Sequence, residues 1–156
     1  MNVVKMVKGH EVFRSLPFED VEKVSNFSAT KPFDKGAVVF QEGRPASHVF
    51  VLLEGRVEHR LPAKAGELNL VVGTVEKGEM FGLAPLMGSD RYTTTAHCAE
   101  ASSVLCIEAE PLRALLEEHP DVALKVMRIA AQVYFARYVE TLRQFQGTLQ
   151  HIARGP

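Results

Sequence analysis

The segment "GEMFGLAPLMGSDRYTTTAHC", from Gly78 to Cys98, decides how this chain is interpreted. An apolar run ends in a turn of small residues and a threonine-rich run follows, so the segment predicts a short loop between two strands. Loops of this kind wrap a phosphate group when backbone N–H groups and a basic side chain supply the donors. Here apolar residues stand where such a loop needs charge. The segment therefore leaves open whether this loop holds a phosphate group.

β-branched and aromatic runs with regularly spaced glycines surround this segment, from Lys31 to Glu110. Runs such as "HVFVLLEGRVEHRL" and "ELNLVVGTVEKG" alternate with turn glycines, which is typical of an antiparallel sandwich or roll. "PAKAG", Pro62 to Gly66, is predicted to be the exposed tip of a hairpin. Cys98 and Cys106 fall inside predicted strands and are expected to be free buried thiols.

Helices are predicted at both ends of this β-region. "HEVFRSLPFEDVEKVSNFS" has apolar residues about three apart, which predicts short amphipathic helices. Pro111 opens a short helix, and Pro120 occupies the first turn of a second helix that runs for roughly 30 residues to about Gln150. The chain is thus divided into a β-roll with N-terminal helices, residues 10–118, and a long C-terminal helix, residues 119–152.

The long helix carries two apolar stripes. One stripe is expected to pack on the roll, and it consists of Val122, Val126, Ile129 and Val133. The other is expected to pack on the same helix of a second subunit, forming a homodimer, and it includes Met127, Ala131, Tyr134, Tyr138, Leu142 and Phe145. A two-fold dimer places identical stripes face to face. The alternative is that both stripes pack within one chain.

Composition excludes several classes of protein. The 156 residues include 18 Lys and Arg against 19 Asp and Glu, a net charge of −1, so no basic excess supports direct DNA binding. No run approaches the roughly 18 apolar residues of a membrane span, and the N-terminus does not resemble a signal peptide. A cytoplasmic location without membrane association is therefore expected.

The sequence offers no catalytic or metal-binding pattern. Its six histidines include no close pair of the kind that jelly-roll metal enzymes use, so no metal and no cofactor are expected. His59 and His97 are interpreted as strand-surface residues. His97 and Cys98 cannot both reach one haem iron, because adjacent strand residues point to opposite faces. No catalytic triad spacing or P-loop occurs, and the chain is not expected to be an enzyme.

The order of these parts resembles the cyclic-nucleotide-binding domain of the CRP/FNR family. The resemblance rests on six segments in the right order: "FRSLPFEDVEKV", "KGAVVFQEG", "VFVLLEGRVE", "VEKGEMFG", "TTTAHCAEASSVLCIE" and "LLEEHPDVALKVM". It implies a mainly β fold with helices. This is a double-stranded β-helix jelly-roll of eight strands, with short N-terminal helices and a long C-terminal dimerisation helix.

The same resemblance implies a phosphate-binding cassette. Binding members carry Phe-Gly-Glu, then Leu or Ile, then Ala, a variable loop, and Arg followed by Thr or Ser and Ala. Here Leu83 stands at the position of the sugar-binding Glu, and Pro85 stands where an Ala donates a backbone N–H that proline lacks. Tyr92 stands at the position of the phosphate-binding Arg, and Arg91 lies one residue early.

The candidate ligand-binding residues on this alignment are Gly82, Leu83, Ala84, Pro85, Leu86, Arg91, Tyr92, Thr93 and Thr94. Three contacts are changed at once: carboxylate, backbone donor and guanidinium. If each is worth ~1.5–3 kcal/mol, losing two or three weakens binding by roughly three or more powers of ten.

The expected function is a regulatory or sensor module with a degenerate phosphate-binding cassette. It would act on an unidentified downstream protein and, because the chain ends soon after the long helix, would lack a DNA-binding domain. Three alternatives remain. The cassette binds a cyclic nucleotide or another small anionic effector through Arg91 and Thr93; the cavity holds a different effector; or the chain is a ligand-free dimeric scaffold.

Overall fold

The computed structural model describes residues 2–61 and 70–155. Within these ranges eight strands form two four-stranded antiparallel sheets, ordered β1-β8-β3-β6 and β2-β7-β4-β5, which confirms the predicted jelly-roll. The strands are β1 Ser28–Phe33, β2 Val38–Phe40, β3 His48–Glu54, β4 Val57–Leu61, β5 Leu70–Val75, β6 Met80–Phe81, β7 Thr95–Cys98 and β8 Ser102–Glu108. The hairpin tip predicted at Pro62 to Gly66 lies outside the described residues.

Four α-helices flank the sheets in the described ranges: α1 Val3–Gly9, α2 Phe18–Asn26, α3 Ala109–Glu118 and α4 Pro120–Arg154. The first of them precedes residue 10, where the β-roll unit was expected to begin, and its Val7 is fully buried. Cys98 is buried and Cys106 is half-buried, and both are free thiols, as predicted. None of the described helices contains an apolar stretch long enough to cross a membrane.

Strand β3 is buried on both faces, which explains its continuous apolar run "VFVLL". Val49 and Val51 pack under the helices, whereas Phe50 and Leu52 point into the space between the sheets. Alternate strand residues point to opposite faces, so one strand contributes to two cores. The helices therefore cover one sheet from outside while aromatic side chains fill the interior of the roll.

Helix α4 is anchored where it begins. Pro120 occupies its first turn, as predicted. The ring Nε2 of His119 lies 3.0 Å from a carboxylate oxygen of Asp20 in α2. Lys23 contacts the same carboxyl group, and its hydrogen bond is the main cause that lowers the pKa of Asp20. The start of α4 is thus tied to the N-terminal helices.

The two halves of α4 have different surroundings. Val122 and Val126 are buried against the domain and Ile129 and Val133 are half-buried, as the first stripe predicts, and Ala130 is buried beside them. Beyond the roll the helix exposes a row of large apolar side chains, listed here with their exposed fractions: Phe135 67%, Tyr138 60%, Leu142 48%, Phe145 62%, Leu149 50% and Ile152 69%. Tyr134, expected on the intersubunit stripe, is instead half-buried against the roll. Tyr134 follows the buried Ala130 by four residues, so the two side chains share one face of the helix.

Candidate ligand-binding site

The cassette turn is built as a short 3-10 helix, Ala84–Met87, between β6 and the loop before β7. Pro85 lies in its first turn, where a missing N–H removes no helical hydrogen bond. Gly82 has a φ of +65°, and a Cβ there would lie 2.7 Å from Cδ2 of Phe50. The backbone therefore packs directly on the aromatic core at this point, and only glycine fits.

Leu83, at the position of the sugar-binding Glu, is 3% exposed and belongs to the core under the helices.

Tyr92, at the position of the phosphate-binding Arg, is part of the hydrophobic interior. Its ring stacks on Phe40 with 4.1 Å between ring centroids. Its hydroxyl donates to the carbonyl oxygen of His48 at 2.7 Å and accepts from the His48 N–H at 3.1 Å. Burial raises the pKa of the hydroxyl group. Both hydrogen-bonding capacities of this side chain are thus committed to the backbone of β3.

Arg91 does not line the cavity of the cassette. The residue is exposed, and its guanidinium Nη1 donates to the carbonyl oxygen of Gly43 at 2.6 Å. This agrees with the one-residue offset in the sequence, since neighbouring residues of an extended segment point to opposite sides. Thr93 lines the cavity near its rim and is exposed, whereas Thr94 is buried.

His59 lies inside the roll, so its interpretation as a strand-surface residue is wrong. The residue is 3% exposed, in the middle of β4. Its ring Nδ1 lies 2.9 Å from Oγ1 of Thr94. The pKa of His59 is lowered to about 3, mainly by burial and secondly by the nearby charge of Arg137. The imidazole is therefore neutral at physiological pH.

Three residues of α4 close the cavity: Val133, Tyr134 and Arg137. The Arg137 guanidinium carbon lies 5.3 Å from the centroid of the Tyr134 ring, a cation–π geometry. The Arg137 Nε lies 3.2 Å from the point that a Cβ on Gly73 would occupy. Gly73 pairs with His59 in the β4–β5 ladder, so its missing side chain lets Arg137 lie over the edge strand opposite the imidazole.

The cavity is small and partly open to solvent. About 20 Å³ is open to the centre of a water molecule, which is room for roughly one water. Its walls come from β2, β4, the cassette and α4. A cyclic nucleotide therefore does not fit while α4 occupies this position.

The structure brings most, but not all, of the sequence-predicted residues to this cavity. Those that line it are Gly82, Leu83, Ala84, Tyr92, Thr93 and Thr94, whereas Pro85, Leu86 and Arg91 do not. Sequence reasoning missed His59 and Arg137. Two signals in the sequence pointed to a close approach of α4 to the roll. Arg137 follows Val133 at the four-residue spacing of the roll-facing stripe, and Gly73 is a glycine inside a strand.

The stability of the protein is expected to fall as pH drops below about 6.5, because the unfolded chain protonates His59 while the folded chain holds it neutral. From the pKa of about 3, this one group removes about 2 kcal/mol of unfolding free energy by pH 5. Denaturant unfolding at several pH values measures this slope. His59→Gln should flatten it, and His151→Gln, at the exposed end of α4, should not. Equal slopes in all three proteins would contradict the neutral, buried imidazole.

The comparisons with known proteins identify the family. Residues 30–119 match the cyclic nucleotide-binding domain, which is more than half of the 156 residues. The chain belongs to this family. It is 23% identical over 120 residues to the CRP-like cAMP-activated global transcriptional regulator of Mycobacterium tuberculosis, over 74% of this chain and 53% of the regulator. The resemblance to the CRP/FNR type is thereby confirmed.

The chain is also similar to two further proteins. The chain is 26% identical over 124 residues to a candidate potassium channel protein of Rhodopseudomonas palustris, over 80% of this chain and 29% of that protein. It is also similar to a candidate cyclic nucleotide-binding protein from Geobacter metallireducens whose crystal structure is known. The two sequences are 27% identical, the TM-score is 0.72, and the match covers 88% of this chain and 99% of that chain. The chain spans about half or less of the length of the curated relatives.

Proposed function

We propose that this chain is a regulatory sensor domain that does not bind cyclic AMP or cyclic GMP in the manner usual for its family. One observation carries the proposal. The side chain at the position of the phosphate-binding arginine, Tyr92, is stacked on Phe40 and hydrogen-bonded to the backbone of His48. A cyclic phosphate is a buried anion, and its desolvation must be offset by a cation or several donors. Tyr92 offers neither.

The other altered positions support the same proposal. Leu83 is buried in the core under the helices, where it offers no acceptor to a ribose hydroxyl. Pro85 has no N–H. The Arg91 guanidinium is held at the surface by the Gly43 carbonyl. A calorimetric titration with cyclic AMP and cyclic GMP tests the proposal, which expects no binding in the micromolar range.

Occupancy of the cavity would be linked to the position of α4. Val133, Tyr134 and Arg137 cover the opening, and the cavity behind them has room for roughly one water. A larger ligand therefore binds only if this part of α4 moves, and such a ligand shifts the population of helix positions by its differential affinity. The helix would carry the signal to a downstream protein.

A homodimer through the second half of α4 is part of this proposal. Phe135, Tyr138, Leu142 and Phe145 expose large apolar surfaces on a helix that extends beyond the roll. A contiguous apolar surface of this kind marks an interaction site, and a second copy of the helix presents a matching stripe.

Leu142→Glu is expected to dissociate the dimer, because it places a charge in the centre of an apolar interface. Sedimentation velocity over a range of micromolar concentrations measures this. Gln144→Glu is the matched control, since residue 144 lies on the opposite side of the helix from residue 142 and is also exposed. A wild-type protein that stays monomeric at tens of micromolar would remove the dimer.

A ligand-free dimeric scaffold is the second candidate, and the small cavity favours it. The roll interior is filled by the stacked rings of Phe40, Phe50, Phe81 and Tyr92. In that case α4 would keep one position, and no small molecule would change the thermal stability of the protein.

A further inference from the structure

Arg137 is a partly buried cation without a nearby carboxylate in the described part of the chain. Its guanidinium lies over Gly73 and beside the Tyr134 ring. Among residues 2–61 and 70–155, no carboxylate oxygen lies within the 4.0 Å of a salt bridge. Glu79 and Glu140 border the outer groove beside it, but neither reaches this distance. Within these ranges the cation is held by its contacts with Gly73 and Tyr134 and not by an opposite charge.

This arrangement is costly in the absence of an anion. Arg137 is half-buried, and this partial removal from water disfavours its charged form and lowers its pKa. Contact with the Tyr134 ring offsets only part of the cost of removing a cation from water. An anion that reached the guanidinium would gain the paired, fork-shaped hydrogen bonds that arginine makes with carboxylate and phosphate groups.

The wall opposite Arg137 supplies neutral polar groups. Thr94 and His59 are both buried, and their side chains meet at 2.9 Å. Their hydrogen bond uses one donor of the pair, so one donor remains for an anion. It is the imidazole Nε2–H when the Thr94 hydroxyl donates to Nδ1, and the Thr94 hydroxyl when Nδ1–H donates to it. Around them the cavity wall is apolar, from Phe40, Phe81 and Val133. In such surroundings a charge-assisted hydrogen bond is stronger than in water.

We propose that Arg137, Thr94 and His59 form a binding site for the phosphate or carboxylate group of a small ligand, placed between α4 and the roll. The proposal rests on the sensor function proposed above and names the chemistry of its effector. Arg137 of α4 would thus supply the guanidinium that binding members of the family carry at the position of Tyr92. The anion would bridge the helix and the sheet.

This placement couples the anion directly to the helix. The cavity has about 20 Å³ of free space, too little for phosphate, so binding requires α4 to move outward while Arg137 stays in contact with the anion. The bound state would thus fix α4 in a new position, held by the ligand. A cassette arginine would hold the ligand on the roll alone.

Thermal unfolding of the full chain in inorganic phosphate or acetate, at constant ionic strength adjusted with NaCl, tests this site. In the wild-type protein, an anion that binds should raise the Tm as its concentration increases. When the anion concentration is ten times its Kd, the folded-to-unfolded ratio should be about tenfold higher than without the anion. Arg137→Gln should abolish the anion-dependent shift. Arg143→Gln removes the same charge from an exposed position of α4 and should keep the shift. Equal shifts in wild type and Arg137→Gln, or no shift with either anion, would overturn the site.

The His59 ring gives a second readout that a purely structural role of Arg137 would not move. An anion beside the imidazole opposes the effect of the Arg137 charge and raises the pKa of His59. Among residues 2–61 and 70–155, the charged group facing His59 is Arg137 from α4, and Thr94 is its hydrogen-bonded polar neighbour. The ring resonances of His59, followed by NMR at neutral pH, should therefore shift with added phosphate in the wild type and stay unchanged in Arg137→Gln. Resonances that do not move with phosphate in the wild type would contradict the site.

The two proposals fail in different ways. If cyclic AMP binds at micromolar concentration and Arg91→Ala abolishes it, the proposed function is wrong, whatever phosphate does. If cyclic AMP does not bind and the anion shift is the same with and without Arg137, the proposed function stands and the Arg137 site is wrong.

Glu140→Gln adds a further check. It removes a carboxylate from the groove beside Arg137, and the anion should then bind more tightly.

Discussion

Tyr92→Arg is expected to destabilise the domain by about 3–5 kcal/mol and not to restore a phosphate site. The substitution puts back the residue type that binding relatives carry at this position. In this chain, however, the side chain at 92 stacks on Phe40 and lies near Phe50 in the interior. Removal of the ring leaves a cavity, and the guanidinium would be buried among aromatic rings without a partner.

Tyr92→Phe is the matched control. It keeps the ring and removes only the hydroxyl that contacts both backbone groups of His48. Loss of these two hydrogen bonds should cost about 1–3 kcal/mol. Urea unfolding of the three proteins measures the differences. A Tyr92→Arg protein that is as stable as wild type and binds cyclic AMP would show that the cassette is intact except for this residue.

The fold could be predicted from the sequence because its signals are local and repeated. Turn glycines, alternating β-runs and the Pro120 helix start each restrict the backbone within a few residues. Strand β3 is an instructive case, since its uninterrupted apolar run reflects burial on both faces. The register of the strand after the cassette also places Tyr92 inside and Arg91 outside, as the structure has them.

The cavity itself could be predicted only in part, because two of its polar groups depend on tertiary packing. His59 was assigned to a strand surface, since β4 alone does not reveal which of its faces meets the interior. Arg137 lies in a helix that contacts the roll, and only the pairing of Gly73 with His59 explains why a long cation fits there. Such contacts join residues far apart in the chain.

Binding of cyclic AMP is expected to be at least about a thousandfold weaker than in a domain with the complete cassette. Three contacts are absent or committed elsewhere: the carboxylate at Leu83, the backbone donor at Pro85 and the guanidinium at Tyr92. Loss of about 4 kcal/mol converts a micromolar dissociation constant into a millimolar one, and each charge-assisted contact is worth about 1.5–3 kcal/mol. Closure of the cavity by α4 weakens binding further, because the closed form must open first.

Isothermal titration calorimetry with cyclic AMP and cyclic GMP is the most direct test of this account. Wild-type protein, Arg91→Ala and Arg137→Gln are titrated under the same conditions. We expect no saturable heat in the micromolar range for any of the three proteins with either nucleotide. Micromolar or tighter binding to the wild type that Arg91→Ala abolishes and Arg137→Gln leaves unchanged would contradict it.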